Sequence, residues 1–65
     1  MPYVSYRAAP EDAGLTVRRI LRQRLRFSAH AVSRLTRTEG GILVNGEPAR
    51  TTRVLAPGDT VSAQS

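Results

Sequence analysis

Two tight turns in one short stretch constrain this chain more than any other feature. The stretch is Gly40 to Asp59, GGILVNGEPARTTRVLAPGD. Ile42-Leu43-Val44 is an apolar, β-prone run, and Asn45-Gly46 follows it directly. Asn-Gly is the strongest short-range hairpin signal, because a type I′ turn needs φ > 0 at both central residues. Further on, Ala56-Pro57-Gly58-Asp59 suits a type II turn. Proline presets φ at its second position, and glycine takes the positive φ at its third. Thr60-Val61 then resumes β-type residues. The C-terminal half therefore reads as a small, tightly turned sheet.

What precedes the sheet is basic. Every cation of the 65-residue chain is arginine, and the net charge is +5. Between Ala13 and Thr38 stand seven arginines and no acid. The acids Glu11, Asp12, Glu39, Glu47 and Asp59 lie in flanks and turns. A block this one-sided repels itself, and an anionic partner offsets that cost. The planar guanidinium fork suits phosphate better than an ammonium does. A GC-rich coding sequence would equally favour arginine over lysine, but it does not explain the clustering.

Length sets further bounds. A chain this short makes one domain, and such a domain buries only ~60% of its unfolded surface. Cysteine is absent, which excludes disulfides and thiolate metal sites. His30 is the only histidine, so no transition-metal cluster is expected. No apolar run approaches the ~20 residues of a membrane span, and no secretory h-region follows Met1-Pro2-Tyr3-Val4. These readings imply a cytoplasmic protein without membrane association.

Tyr3 to Arg7 reads as a leading strand with Val4 and Tyr6 on one face. Ala8 to Gly14 reads as a connector, with Asp12 as a simple connector residue. The first helix opens at Thr16 as N-cap, with Leu15 and Ile20 at the hydrophobic staple positions. Val17, Ile20, Leu21 and Leu25 form its apolar arc, and Arg19, Arg22 and Arg26 fall opposite. Arg24 lands inside the arc, where its stem would pack and its head would snorkel to water. The second helix opens at Ser28, with Phe27 and Val32 as its staple pair. Val32, Leu35, Ala31 and the methyl of Thr36 form the inward face. His30, Arg34 and Arg37 share the outward one, with Ser33 beside them. Gly40-Gly41 ends this helix. Tyr6 and Phe27 are expected in the core, and Ala63-Gln64-Ser65 forms an unanchored tail.

Surface helices normally intersperse both signs of charge; these carry one. That favours an anion-binding face, with nucleic acid as the first candidate. An acidic lipid surface fits poorly, because no Trp- or Phe-rich insertion face is present. Only three aromatic residues occur, too few for a single-strand stacking platform. That points toward a pair of helices meeting the backbone of a folded RNA by shape. No carboxylate pair, phosphate-cradling glycine loop or nucleophile elbow occurs, so the chain itself is not expected to be an enzyme. Ser28 reads as a cap rather than a nucleophile. His30 lacks an acid on its helix to orient it as a base.

Ser28, the second helix, Gly41-Ile42-Leu43-Val44-Asn45-Gly46 and Pro57-Gly58-Asp59-Thr60-Val61 together resemble the alpha-L RNA-binding domain. That module is shared with small-subunit ribosomal protein S-four, bacterial tyrosyl-tRNA synthetases, heat-shock protein fifteen and pseudouridine synthases. The resemblance covers roughly residues 13–64 and is strongest to the N-terminal domain of D-type large-subunit pseudouridine synthases. There are departures. Thr16-Val17-Arg18 stands where the family usually has Arg-Leu-Asp, Ala29 where an arginine often follows the serine, and Glu39-Gly40 lengthens the bend. Ser28, Arg34, Arg37, Asn45 and Gly46 carry over as RNA contacts. Charge pattern adds Arg18, Arg19 and Arg22, and His30 and Arg50 complete the candidate set.

The resemblance implies an α+β fold, two short antiparallel-packed helices against a small, mostly antiparallel sheet. It implies a single domain over residues 1–65 that binds structured RNA, specifically 23S-type ribosomal RNA. It further implies a longer parent, in which a C-terminal catalytic domain isomerises uridine and this domain positions it. No cofactor or metal is expected, and the domain is expected to be a monomer. The alternatives are a free-standing ribosome-associated factor, a module whose arginines meet an acidic protein, and helix-turn-helix DNA binding.

Overall fold

The computed structural model describes residues 2–64. Strand β1 (Tyr3–Arg7) is followed by a single 3-10 turn, Pro10–Asp12. Helices α1 (Val17–Gln23) and α2 (Ala29–Thr36) come next. Strands β2 (Ile42–Val44), β3 (Glu47–Pro48) and β4 (Thr60–Gln64) complete the order. The four strands form one sheet in the order β1-β4-β2-β3, antiparallel throughout. The fold is α+β, as expected.

The turns form as their residues dictate. Asn45 and Gly46 both have positive φ, 54° and 83°, and join β2 to β3. Gly58 sits at φ 89°, and the Asp59 amide donates to the Ala56 carbonyl at 3.1 Å to close the second turn. The Asp59 carboxylate also accepts from the Ala56 amide at 2.9 Å. Alternation along the central strands then decides what is buried. Val44 pairs with Val61, which pairs with Tyr6; Ile42 pairs with Ala63, which pairs with Val4. Paired residues share a face, so these two rows form the inner surface, with Val4 exposed at its margin.

Helical spacing supplies the other half of the core. Val17, Ile20 and Leu21 of α1 and Val32 and Leu35 of α2 are buried against Ile42, Val44, Val61, Ala63 and Leu55. Complete burial of such a side chain stabilises by ~1.5–3 kcal/mol, so a handful of them carry so small a domain. Both predicted N-caps are present: Thr16 Oγ1 accepts from the Arg19 amide, and Ser28 Oγ from the Ala31 amide.

Five expectations are corrected. Asp12 is no mere connector residue; it is fully buried and accepts from Tyr6 Oη at 2.6 Å, the Ala9 amide at 2.9 Å and Arg24 Nη2 at 2.9 Å. Arg24 therefore does not simply snorkel: it turns inward to Asp12, because a buried carboxylate needs a charged partner. Thr36 is exposed, since its hydroxyl donates to the Ser33 carbonyl at 2.6 Å and its methyl leaves the core to Val32 and Leu35. The C-terminal tail is anchored: Ala63 is fully buried, and the Gln64 amide donates to the Gly41 carbonyl at 3.0 Å. Ser65 lies outside the described residues. Tyr6 and Phe27 pack at the core margin, half-buried rather than enclosed.

Candidate nucleic-acid interface

The buried pattern of each helix fixes what it shows to solvent. With Val17, Ile20 and Leu21 inward, Arg18, Arg19 and Arg22 of α1 point outward and are exposed. They surround a shallow depression of about 400 Å³ together with Thr16 and Gln23. With Val32 and Leu35 inward, His30, Ser33, Arg34 and Arg37 are exposed along α2 and its C-terminal cap. Arg37 Nη2 donates to Ser33 Oγ at 3.4 Å, a weak contact that leaves the guanidinium open to a ligand.

The segment between the two turns brings further cations to α1. The Arg18 amide donates to the Thr51 carbonyl at 3.0 Å, and the Val17 amide to the Arg53 carbonyl at 2.9 Å. These bonds satisfy backbone donors that the first helical turn leaves without partners. They also set exposed Arg50 and Arg53 beside the start of α1. Arg53 was not among the residues expected at the interface. No local pattern could have revealed it, because its position depends on the long-range pairing of Thr16 with Val54.

One arginine of the basic block is engaged within the molecule. Among the described residues the only salt bridge is Arg24 to Asp12. The Tyr6 hydroxyl, the Ala9 amide and the Arg24 guanidinium all favour the ionised carboxylate, and together they hold Asp12 at about 2 despite its burial. The outward arginines Arg18, Arg19, Arg22, Arg34, Arg37 and Arg50 have no such partner among the described residues. Their charge is uncompensated and available to an anion.

The remaining expected contacts divide. Ser28 is exposed, with its hydroxyl engaged as the α2 cap. Asn45 is exposed, but both ends of its side-chain amide are engaged by the chain itself. Its Nδ2 donates to Asp59 Oδ1 at 3.0 Å, and its Oδ1 accepts from the Thr60 amide at 3.0 Å. This bond, after that of the Ala56 amide and ahead of the charge of Arg53, lowers the Asp59 carboxyl below its ordinary range. Asn45 thus ties the two turns together, and Gly46 stands exposed at the hairpin tip with no atom near its missing Cβ.

Aromatic stacking is not offered here. Tyr3 Oη donates to the Gly40 carbonyl at 2.7 Å, which ties β1 to the bend before β2, and Tyr6 is held by Asp12. No group of three or more His, Asp or Glu side chains among the described residues could hold a metal ion. None of the described helices is long and apolar enough to cross a membrane. What the arrangement can do is bind an extended anion through several guanidinium groups on a rigid frame. Comparison with protein-family models, curated proteins and solved structures finds no match to this chain.

Proposed function

We propose that this chain is a structured-RNA binding domain of the alpha-L kind. The observation that carries the reading is the outward set of arginines without carboxylate partners, on two helices, while the one buried acid among the described residues takes Arg24 as its only cationic partner. Arg18, Arg19 and Arg22 form one contact row; His30, Arg34 and Arg37 form the other; Arg50 lies beside the first. Guanidinium groups meet phosphate through charge-assisted hydrogen bonds, and rigid helices fix their spacing. With both tyrosines engaged, recognition goes through backbone shape rather than base stacking.

In the fuller proposal the domain serves a pseudouridine synthase. It docks on large-subunit ribosomal RNA in the cytoplasm, as a monomer, and presents uridines to a catalytic domain elsewhere in a longer chain. The test is a titration of the 65-residue chain with a ribosomal RNA hairpin and with duplex DNA across a salt series. If four to six phosphates are engaged, log affinity should fall with log salt at a slope of about −3 to −5, with RNA preferred. Equal affinity for DNA, or no dependence on salt, overturns the reading. Displacement of the RNA by an acidic polypeptide at equal charge would point instead to a protein partner.

A further inference from the structure

A cavity of about 580 Å³ opens between the end of α2 and the loop after β3. Its size is within the ~300–1,000 Å³ range of small-ligand sites. Leu35, Ile42 and Ala49 give it an apolar lining, with Leu35 and Ile42 both buried. Glu39 comes to it from the bend before β2, and Arg50 and Thr51 from the loop after β3. Glu39 and Arg50 both line this space, yet neither forms a salt bridge among the described residues. The lining thus combines an acceptor-only carboxylate residue, an arginine and apolar side chains.

We propose that this cavity receives one unpaired guanine nucleotide of the bound RNA. The inference rests on the RNA reading above and deepens it. Guanine alone among the four bases presents two adjacent donors, N1–H and N2–H, on its Watson–Crick edge. A carboxylate accepts both, whereas adenine, cytosine and uracil set an acceptor beside their donor. Glu39 selects the base, the Leu35 and Ile42 side chains meet its ring, and Arg50 meets the nucleotide's phosphate. The edge must be free, so the nucleotide is bulged or looped out of its helix. The position is consistent with the arginine rows: Thr51 accepts from the Arg18 amide, and Thr36 and Thr38 of the same cavity flank Arg37.

The experiment uses the whole chain and labelled RNA hairpins identical except for one bulged nucleotide, G, A, C or U, with an unbulged hairpin as reference. The bulged-G hairpin should bind about tenfold tighter than the bulged-A one, the scale of one bidentate base contact. Glu39→Gln should bring the two within about twofold while the unbulged hairpin binds as before, because only the base-reading pair is lost. Arg50→Gln should weaken every bulged hairpin and keep the order of bases. Amide shifts at Gly41 and Thr51 on adding guanosine monophosphate, larger than with adenosine monophosphate, should place the nucleotide. Indifference to the bulged base in the parent, or a G preference that survives Glu39→Gln, overturns the proposal and leaves general RNA binding standing. Failure to bind any hairpin overturns both.

Discussion

The two helices begin alike and are held differently. Each opens on a hydroxyl cap, Thr16 or Ser28, and each buries an i, i+3 set. But α1 is stitched on both sides. Its first amides donate to the 51–53 segment, and the arginine at its C-cap, Arg24, locks to Asp12 and through it to Tyr6 of β1. Helix α2 relies on Val32 and Leu35 and on the bend that Tyr3 ties at Gly40. Among the described residues only α1, at its C-cap, pairs an arginine with a buried carboxylate. The comparison teaches that arginine stands in two situations here. Arg24 is paired and structural, and the outward arginines are without a carboxylate partner among the described residues, as the proposed binding requires.

The largest effect should come from α1's core. Ile20 is fully buried, so Ile20→Ala should cost ~2–5 kcal/mol and unfold much of so small a domain. A thermal melt checks this; a midpoint within a few degrees of the parent would deny α1 its anchoring role.

Acid should break the lock next. The folded carboxyl of Asp12 sits at about 2, below its ordinary 3.8. A lowered folded value means stability that is fully present above the unfolded value and lost as pH falls through the folded one. The parent should therefore lose stability between about pH 5 and pH 2. Asp12→Asn should flatten that part of the profile, at the expense of stability near neutrality. Urea midpoints across pH measure both; an unchanged acid limb in Asp12→Asn would assign the loss to other carboxylates.

Reversing charge on α2 should separate binding from folding. Arg34→Glu with Arg37→Glu removes two exposed cations. Stability should stay within ~0.5 kcal/mol, since exposed charges contribute little. RNA affinity should fall by about tenfold or more, as each charge-assisted phosphate contact is lost. Retained affinity would reduce the α2 face to a solvated surface and leave binding to α1 and its neighbours.

Much of the fold was legible because its signals are local. Asn45, Gly46 and Gly58 take the positive φ their turns require, Thr16 and Ser28 cap their helices, and the apolar spacing sets Ile20, Leu21, Val32 and Leu35 inward. The same spacing set the outer arginines outward. What escaped depends on tertiary contact. Asp12 and Arg24 are twelve residues apart, and nothing in either neighbourhood announces their pairing. Asn45 looked like a surface contact because its bonds to Asp59 and Thr60 exist only once the sheet closes. Arg53 and the Glu39–Arg50 cavity belong to the same class.

The smallest effect tests how the helices end. After α2 the left-handed position is filled by Gly40, at φ 70°. After α1 it is filled by Arg26, at φ 64°. An L side chain there costs roughly 1–2 kcal/mol, a cost glycine escapes. Glycine also widens the unfolded ensemble, which takes back ~0.4–1 kcal/mol. Arg26→Gly should therefore stabilise the domain by about 0.5–1 kcal/mol. Gly40→Arg should destabilise by a similar amount, since its added Cβ would meet only Tyr3 Oη, at an ordinary 3.7 Å. The pair is measured by urea unfolding at neutral pH. If Arg26→Gly loses stability, the Arg26 side chain makes a favourable contact that outweighs its backbone strain, and the end of α1 is held by more than its hydrogen bonds. If it gains stability while RNA affinity holds, the strained residue serves neither folding nor phosphate contact. The binding face would then lie on the helix rows proper and not on the turn between them.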